Sequence, residues 1–538
     1  MDIQEKIFMN IKFRNIAHRF SQYDKVVLYG AGVMAQKVYE GISDCRISIS
    51  FCVVTEKKEN YFMGSIPVFS IEECKDLLKD KNTIILIAVS NRYEKEIEEK
   101  LIKLKINTYC CLSEFLEKGL LKEYNNKTID QCIEEITEWR IANSQYEWKR
   151  FELIKKEIQN KIQNNIFDKN RIIFAIGDLS PRAIKIIKAL KKKNMEILVL
   201  FYPDANIRSV CVAELLQLNV KHKVCECVEE LLYDIIVENA GIVHILSCEC
   251  NTVIPYILVK MSSILPKLVY DEYDIINEFY YNYPNDSLEG ERFCLENADG
   301  ICNRGYELNY LVKNRGYHFK GDAIQFFDYC RDDEINEFFE DVSDSLSICY
   351  AGGLITEKQY PNSNIIDCWI EFARICEKAH CHLHIYPAIW LEENYLEYIE
   401  LDKVSEYFHF HHPVLSGVLK KELSQYDYGI NPIKSGFLKQ EILAHYQKEK
   451  MIYGVTNHFY DYLDAGLPII AAWPVLFAKS FEEKGVLLPW TIEEYDFDFL
   501  RKNKKIYRER AKKLQNELQI QKHIHKLIRF YNNLEKIM

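Results

Sequence analysis

Short apolar runs alternate with charged stretches of helical spacing along most of the chain. The runs are rich in β-branched residues and apolar along their whole length, as in TIILIAV at 83–89. Strands of this kind suit a parallel sheet covered on both faces, and the charged helices between them supply the cover. We therefore predict an α/β fold with three Rossmann-like parallel-sheet domains in series.

Changes in this pattern predict the domain boundaries. A polar, charged run with neither Gly nor Pro follows Gly119 and indicates a helical connector. The acidic stretch Arg331–Ser345 separates the second βαβ series from the third. The predicted segments are an N-terminal Rossmann-like domain at 1–118, the connector at 119–169, a second domain at 170–335, a third at 336–500 and a basic C-terminal helix at 501–538.

Composition narrows the class of protein. The chain has 538 residues and a formal net charge of -11, which argues against a nucleic-acid partner. Its apolar runs are too short to span a bilayer, and its start lacks the pattern of a secretory signal, so a cytoplasmic location is expected. The 18 cysteines include no CxxC pair, which favours reduced thiols and predicts no metal site.

A glycine motif follows the first predicted strand. Gly30 and Gly32 match G-x-G-x-x-A at the start of a helix, where backbone amides favour a phosphate. Glu56 follows the second strand and is a candidate ribose ligand, although a tight turn without ligand is the favoured explanation of the glycines. The domain resembles the Rossmann-like domains beside bacterial polysaccharide-modifying enzymes, which share a GxPV segment like that at 64–68. An NAD-dependent oxidoreductase or epimerase is one alternative that follows.

The most informative stretch is TNHFYDYLDAGLPIIAAW at 456–473. Thr456 can cap a short helix, and Gly466 can end it before Pro468. His458 and Asp461 are three residues apart, so they share one face near the helix N-terminus, where the helix dipole favours an anion.

This stretch resembles the donor-site phrase NKLFEYLAAGLPVIA of GT-B glycosyltransferases, which have two facing Rossmann domains. Asn457 is retained, His458 stands in place of the Lys, and Asp461 stands in place of the Glu that holds the ribose of a nucleotide-sugar. The family's second acid, eight positions earlier, corresponds to Tyr453. The resemblance covers residues 170–500 and implies that the second and third domains form a GT-B pair, with retaining and inverting chemistry both open.

The resemblance implies further site residues. SICYAGGLITEK resembles the glycine loop of the donor domain, so Gly352, Gly353 and Lys358 are candidate diphosphate contacts, with a turn and a solvated charge as the alternatives. His244 and Asp274 match acceptor-side positions and are candidates to activate the acceptor. A buried strand histidine and a solvated acidic cluster are their ordinary explanations.

Two further patterns invite a metal interpretation. His409, His411 and His412 lie close together, but strand alternation sends His412 to the opposite face, so a partly buried strand end is favoured. Asp496-Phe497-Asp498 lies too late in the chain for a donor-site role and predicts a polar loop.

Together these features predict a metal-independent, hexosyltransferase-like glycosyltransferase. It would move a sugar from a nucleotide-sugar to a bacterial surface polysaccharide, another glycan or a lipid-linked acceptor, with no cofactor required. A catalytically silent nucleotide-sugar-binding or assembly subunit is the main alternative. The basic C-terminal helix is expected to pack on the acceptor-side domain, or alternatively to contact the inner face of a membrane.

Overall fold

The structure of the protein is a computed structural model. It describes residues 20, 23–32, 35–36, 38–39, 48–55, 62–63, 66–89, 91–111, 127–143, 150–164, 168–207, 209–247, 252–275, 285–332, 345–354, 366–388, 394–414, 416–439, 448–472 and 476–534.

The first sheet has six strands in the order β3-β4-β2-β1-β5-β6. Its pairs are parallel except for the short β3-β4 pair. All five residues of Thr83–Ile87 are buried, as expected of a strand covered on both faces. The strands are β1 Lys25–Tyr29, β2 Ile49–Val54, β3 Phe62–Met63, β4 Ile66–Ser70, β5 Thr83–Ile87 and β6 Tyr109–Cys111.

The second sheet has seven parallel strands in the order β13-β12-β11-β10-β7-β8-β9. Its central strands β10 and β7 align His244 with Phe174. The strands are β7 Asp168–Leu179, β8 Glu196–Ile207, β9 Lys221–Val224, β10 Ala240–Ser247, β11 Lys267–Glu272, β12 Gly300–Asn303 and β13 Asp322–Gln325.

The third sheet has six parallel strands in the order β16-β15-β14-β17-β18-β19. The strands are β14 Leu346–Gly352, β15 Cys381–Pro387, β16 Phe408–Phe410, β17 Tyr428–Asn431, β18 Ile469–Ala471 and β19 Leu487–Leu488. The prediction of three α/β domains with parallel sheets is confirmed.

Helices cover the faces of the three sheets. They are α1 Ile71–Cys74, α2 Asn91–Lys103, α3 Ile129–Ala142, α4 Phe151–Gln163, α5 Pro181–Lys191, α6 Ser209–Gln217, α7 Val228–Val237, α8 Val253–Lys260, α9 Asn285–Asn297, α10 Glu307–Arg315, α11 Ile366–Lys378, α12 Leu396–Val404, α13 Ser416–Leu423, α14 Ser435–Leu438, α15 Lys448–Tyr453, α16 Asn457–Asp464, α17 Leu476–Glu483, α18 Phe497–Glu517 and α19 Ile520–Leu534.

The predicted connector is part of the second domain. Its helices α3 and α4 bury Ile136 and Ile158 in the same core cluster as Ile173 of β7 and Ile245 of β10. An amphipathic helix gains most of its stability by burying its apolar face, so a charged run with helical spacing packs onto the nearest uncovered sheet.

The C-terminal segment is two helices instead of the single helix predicted over 501–538. The first, α18, begins at Phe497 with the Asp496 side chain accepting from the Phe499 amide, so Asp496 is a helix cap. The second, α19, buries Ile524 and Leu527 in the core of the second sheet. Its apolar face is therefore inside the protein and cannot enter a membrane.

The chain crosses from the second domain to the third near Cys330 and returns near Leu518, and these two segments lie side by side. The Cys330 amide donates to the Leu518 carbonyl at 2.9 Å, and the Ile520 amide donates to the Cys330 carbonyl at 2.9 Å. The two crossing segments are therefore hydrogen bonded to each other. Among the described residues, no helix is both long and apolar enough to span a membrane.

Candidate functional site

Helix α16 begins and ends where the sequence predicts. Thr456 is the residue before its first turn, but the Thr456 hydroxyl forms no capping hydrogen bond, which corrects that expectation. Gly466 has a φ of +71° and ends the helix, with the Leu467 amide donating to the Tyr462 carbonyl at 2.9 Å. A glycine takes this left-handed conformation without the steric cost of a Cβ.

The buried face of helix α16 determines which of its residues face the cavity. Phe459, Tyr462 and Leu463 are buried in the third domain, whereas His458 and Asp461 are only partly covered and line the same cavity. The predicted common face of these two residues is therefore present. The cavity has a volume of about 250 Å³.

The cavity lies between the second and third sheets. The second domain contributes Arg182 and Lys185 from α5, and the third contributes Gly353 after β14 together with residues of α16. Helix α5 directly follows β7, and α16 lies between β17 and β18. In Rossmann-like units, the loops at the carboxyl ends of the strands gather at the gap where ligands bind. The geometry provides a polar cleft with walls from two domains.

His458 is a neutral packing residue. Its Nδ1 donates to the Ala351 carbonyl at 2.6 Å, and its ring stacks on Tyr350 with centroids 5.4 Å apart. Burial and the nearby Arg304 charge lower the pKa of His458, so it does not replace the Lys of the resembled phrase as a cation. Hydrogen bonding to one carbonyl fixes the ring against the glycine loop.

The two glycines of that loop differ. A Cβ on Gly352 would lie 2.0 Å from Cε1 of His458, so this glycine makes room for the ring. A Cβ on Gly353 would meet nothing within 4 Å of the described atoms. Both glycines line the cavity, and Gly353 is the one with open space beside it.

Asn457 links the two domains. Its side-chain oxygen accepts from Arg304, and its side-chain nitrogen donates to the Tyr273 hydroxyl. Arg304 also lies over the Tyr273 ring, 3.9 Å from its centroid. The first residue of α16 is therefore held by the second domain instead of facing a ligand with a free amide.

Asp461 lines the cavity, as does Asp328, which is paired with Arg182 and Arg304. Within the described part of the chain, no hydrogen bond reaches the Asp461 side chain. Burial raises its pKa, and the positive charges of Lys185 and Arg331 oppose that rise. A partly covered acid with a cation opposite can accept hydroxyl hydrogen bonds from a ligand.

Lys185 approaches the same cavity from the second domain. Its ammonium donates to the Tyr329 carbonyl at 2.7 Å and lies 5.8 Å from the centroid of Tyr460. An ammonium has three donors, so this lysine can also meet an anion in the cleft.

A chain of buried ion pairs runs through the cavity wall, where Arg182 and Asp328 both line the cavity. Arg182 contacts Asp271 at 3.1 Å and Asp328 at 3.1 Å. Asp328 also contacts Arg304 at 3.2 Å, and Arg304 contacts Asp274 at 3.0 Å. Alternating charges of this kind keep each buried group paired.

Asp274 is the last residue in this series of ion pairs and is paired with two cations. Lys450 of the third domain is its second cation. Burial opposes its ionisation, but the charges of Lys450 and Arg304 outweigh burial and hold its pKa below the ordinary value. A carboxylate stabilised in this way is a weak base, so the structure does not support the predicted acceptor activation by Asp274.

His244 is not a cleft residue. Its side chain is 0% exposed, its Nε2 lies 3.0 Å from Asp271, and its Nδ1 lies 2.5 Å from the Tyr531 hydroxyl. The ring also stacks on Phe174. The predicted role in acceptor activation is corrected, because an enclosed ring on a central strand cannot contact a substrate.

Two predicted site residues, Lys358 and Glu56, lie outside the described residues. In the N-terminal domain, Gly30 has a φ of +127°, and a Cβ there would lie 2.9 Å from the Ala88 carbonyl oxygen. A Cβ on Gly32 would meet nothing within 4 Å. The tight turn explains Gly30, and nucleotide or NAD binding by this domain stays a prediction.

Sequence reasoning missed Arg182, Lys185 and Arg304. The first two lie in the opening turns of α5, directly after a strand, where α/β proteins gather ligand contacts. Their positions after Pro181 were a usable signal. The role of Arg304 depends on contacts with Asp274 and Asn457, which are distant in sequence.

No family model matches the sequence, and no curated protein matches it. The chain has weak similarity to solved structures that include glycosyltransferases. An S. aureus MnaA structure with UDP has 12% identity and a TM-score of 0.43, over 68% of this chain and 97% of that one. The MurG of Acinetobacter baumannii has 10% identity and a TM-score of 0.36, over 67% and 99%.

The pneumococcal O-GlcNAc transferase GtfA, solved with UDP and GlcNAc, has 11% identity and a TM-score of 0.39 over 57% of this chain. The chain spans 60% of that protein's length. What this chain binds has to be inferred from its own cleft.

Proposed function

We propose that the protein is a glycosyltransferase that binds a nucleotide-sugar between its second and third domains. The observation that carries this proposal is the cavity in which Asp461, Lys185 and Gly353 face one another across two sheets. A hydroxyl acceptor, a cation and an open backbone loop match the ribose, the diphosphate and the close approach that such a donor requires.

Each group has a definite role in this proposal. Asp461 accepts hydrogen bonds from the ribose hydroxyls, and Lys185 balances the charge of the diphosphate. The Gly353 backbone and the start of α16 lie beside the diphosphate, where amide dipoles stabilise the negative charge that builds on a departing nucleotide. Lys358 is proposed to join them.

The transfer is proposed to be metal-independent and hexosyltransferase-like. A fixed lysine and backbone amides stabilise a leaving diphosphate without a divalent cation. The acceptor is proposed to be a surface polysaccharide, another glycan or a lipid-linked sugar. Tyr273 and Tyr386 line the cavity.

Nucleotide binding tests the first half of the proposal. Thermal unfolding of the full chain is measured with UDP-, GDP-, CDP- and TDP-sugars, because a ligand of the native state raises the unfolding midpoint. We expect one nucleotide class to raise it, and Asp461→Asn to abolish the rise. Asp76→Asn is the matched control, since that side chain is 86% exposed in another domain. A rise that survives Asp461→Asn contradicts the proposed ribose contact.

A catalytically silent nucleotide-sugar-binding or assembly subunit is the second candidate. It is favoured by the ion pairs that occupy Asp274 and by Tyr453, which stands where the family has an acid and packs on Tyr310 with ring centroids 4.8 Å apart. Release of free nucleotide from the stabilising donor, with and without a panel of glycan acceptors, separates the two. Binding with no release in either condition supports the silent subunit and contradicts the transferase.

A further inference from the structure

A ladder of four histidines crosses two neighbouring strands of the third sheet. His382 and His384 lie on β15, and His409 lies on β16 directly beside His384 in the pairing register. His411 follows two residues later. The sequence alone pointed only to the histidines at and after β16. The pairing of β15 with β16 places His382 and His384 beside them.

The imidazole nitrogens of the ladder face each other at short range. Nδ1 of His382 lies 3.0 Å from Nε2 of His409, and Nδ1 of His384 lies 3.0 Å from Nε2 of His411. One ligand nitrogen from each of His382, His384 and His409 can be chosen so that all three lie within 4.8 Å of one another. Two nitrogens bound to one zinc ion at about 2.05 Å with a tetrahedral angle are about 3.3 Å apart. The facing pair already has nearly this separation, and turning both rings off their shared N···N axis would direct the two lone pairs at one ion.

We propose that His382, His384 and His409 bind a divalent transition-metal ion, with zinc as the reference ion. Imidazole nitrogen suits zinc, copper and nickel, whereas magnesium and calcium prefer oxygen ligands. This site is separate from the proposed nucleotide cleft, because none of its three ligands lines that cavity.

A shift of tautomer frees the ring nitrogens for a metal ion, because neutral imidazole is the form that binds metals. On binding, the hydrogen shared by His382 and His409 moves to an outward-facing ring nitrogen, so both rings stay neutral and both facing lone pairs are released.

The surroundings provide access and orientation. A solvent-open groove of about 810 Å³ reaches His382 and is lined in part by Tyr407 and Asp496. His411 hydrogen bonds to His384 and stacks on Tyr386 with ring centroids 4.2 Å apart. We assign His411 as a positioning residue, since partners of metal ligands fix ring orientation.

The test is a titration of the full-length, metal-free protein with Co²⁺, followed by displacement with Zn²⁺. We expect one equivalent of cobalt with visible absorption bands typical of imidazole ligation and no thiolate charge-transfer band in the near ultraviolet. Zinc should remove these bands and raise the thermal unfolding midpoint. No binding, or a thiolate spectrum from the chain's cysteines, overturns the proposal.

Variants assign the ligands. His409→Asn and His382→Asn should each weaken cobalt binding at least about tenfold, and His411→Phe should weaken it by about ten- to a hundredfold through ring orientation. His318→Asn is the matched control, because that exposed imidazole belongs to the second domain. The unfolding midpoint without metal is measured for every variant, so a variant that fails to fold is replaced by the other ligand variant. Unchanged binding in folded His409→Asn or His382→Asn protein overturns the site.

Discussion

The hydroxyl of Tyr531 on the last helix lies 2.5 Å from Nδ1 of His244 on a central strand of the second sheet, 287 residues earlier in the chain. The other ring nitrogen of His244 faces Asp271, which is paired with Arg182 of the cavity wall. The end of the chain is therefore connected through buried hydrogen bonds to one wall of the proposed donor site.

This contact predicts a stability loss in Tyr531→Phe. Burial holds the pKa of Tyr531 well above its ordinary value, so the hydroxyl keeps its proton at neutral pH. Removing it leaves a buried ring nitrogen without its partner, which should cost about 1–3 kcal/mol in the free energy of unfolding. Denaturant unfolding measures the loss. Tyr93→Phe, at a side chain that is 45% exposed, should change stability by less than about 0.5 kcal/mol. Equal effects in both variants would contradict a specific contribution from this hydrogen bond.

Gly352→Ala should destabilise the third domain through a steric clash. The added Cβ would lie 2.0 Å from Cε1 of His458, and overpacking of this kind costs about 1–3 kcal/mol. The double variant Gly352→Ala/His458→Ala should lose less stability than the sum of the two single variants, because the alanine at 458 vacates the space. Gly436→Ala is the control, since its Cβ would meet nothing within 4 Å. Strict additivity in thermal or denaturant unfolding would show that the ring is not the obstacle.

Asp461→Asn should separate stability from ligand binding. The folded-state pKa of Asp461 is raised, so its effect on stability is most favourable below the unfolded pKa and is lost as the pH rises through the folded pKa. The asparagine side chain of the variant does not ionise, so the variant does not lose this stability as the pH rises. We therefore expect the variant to be more stable than the parent at pH 7, with the difference shrinking at acid pH, while nucleotide binding is lost. Unfolding midpoints across a pH series measure this, and a variant that is less stable at pH 7 would contradict it.

Lys450→Met should weaken the contact between the second and third domains. The side chains of Lys450 and Asp274 are 11% and 12% exposed, and losing one partner of a buried pair costs about 3–5 kcal/mol. Because the Arg304 pair remains, we expect the lower part of that range or less. The matched control is Lys484→Met, whose pair with Glu517 is 47% and 45% exposed and should be worth less than about 1 kcal/mol.

The pH dependence distinguishes Lys450→Met from a simple packing defect. The pKa of Asp274 is lowered in the folded state, so its stabilising effect is present above the unfolded pKa and is lost as the pH falls through the folded pKa. The difference in the free energy of unfolding between the parent and Lys450→Met should therefore become smaller towards acid pH. A gap that is constant with pH would contradict the ion-pair explanation.

Local patterns predicted the elements of this fold well. The uninterrupted apolar run at Thr83–Ile87 is a buried strand, and Gly466 ends α16 in the left-handed conformation. Spacing along α16 also predicted that His458 and Asp461 share a face. These features depend on residues within one strand or one helix, so the sequence contains all the information that they require.

The roles of side chains depended on partners that only folding brings together. Sequence similarity suggested His244 and Asp274 for the acceptor side, but Tyr531 and Lys450 occupy them from distant segments. In the same way, the pairing of β15 with β16 places His384 beside His409. The sequence by itself determined three layered parallel sheets and the polar face of α16, because backbone geometry and hydrophobic spacing are local. Only the tertiary structure decided which charges are neutralised and which face the cleft, because electrostatic pairing depends on distances in space.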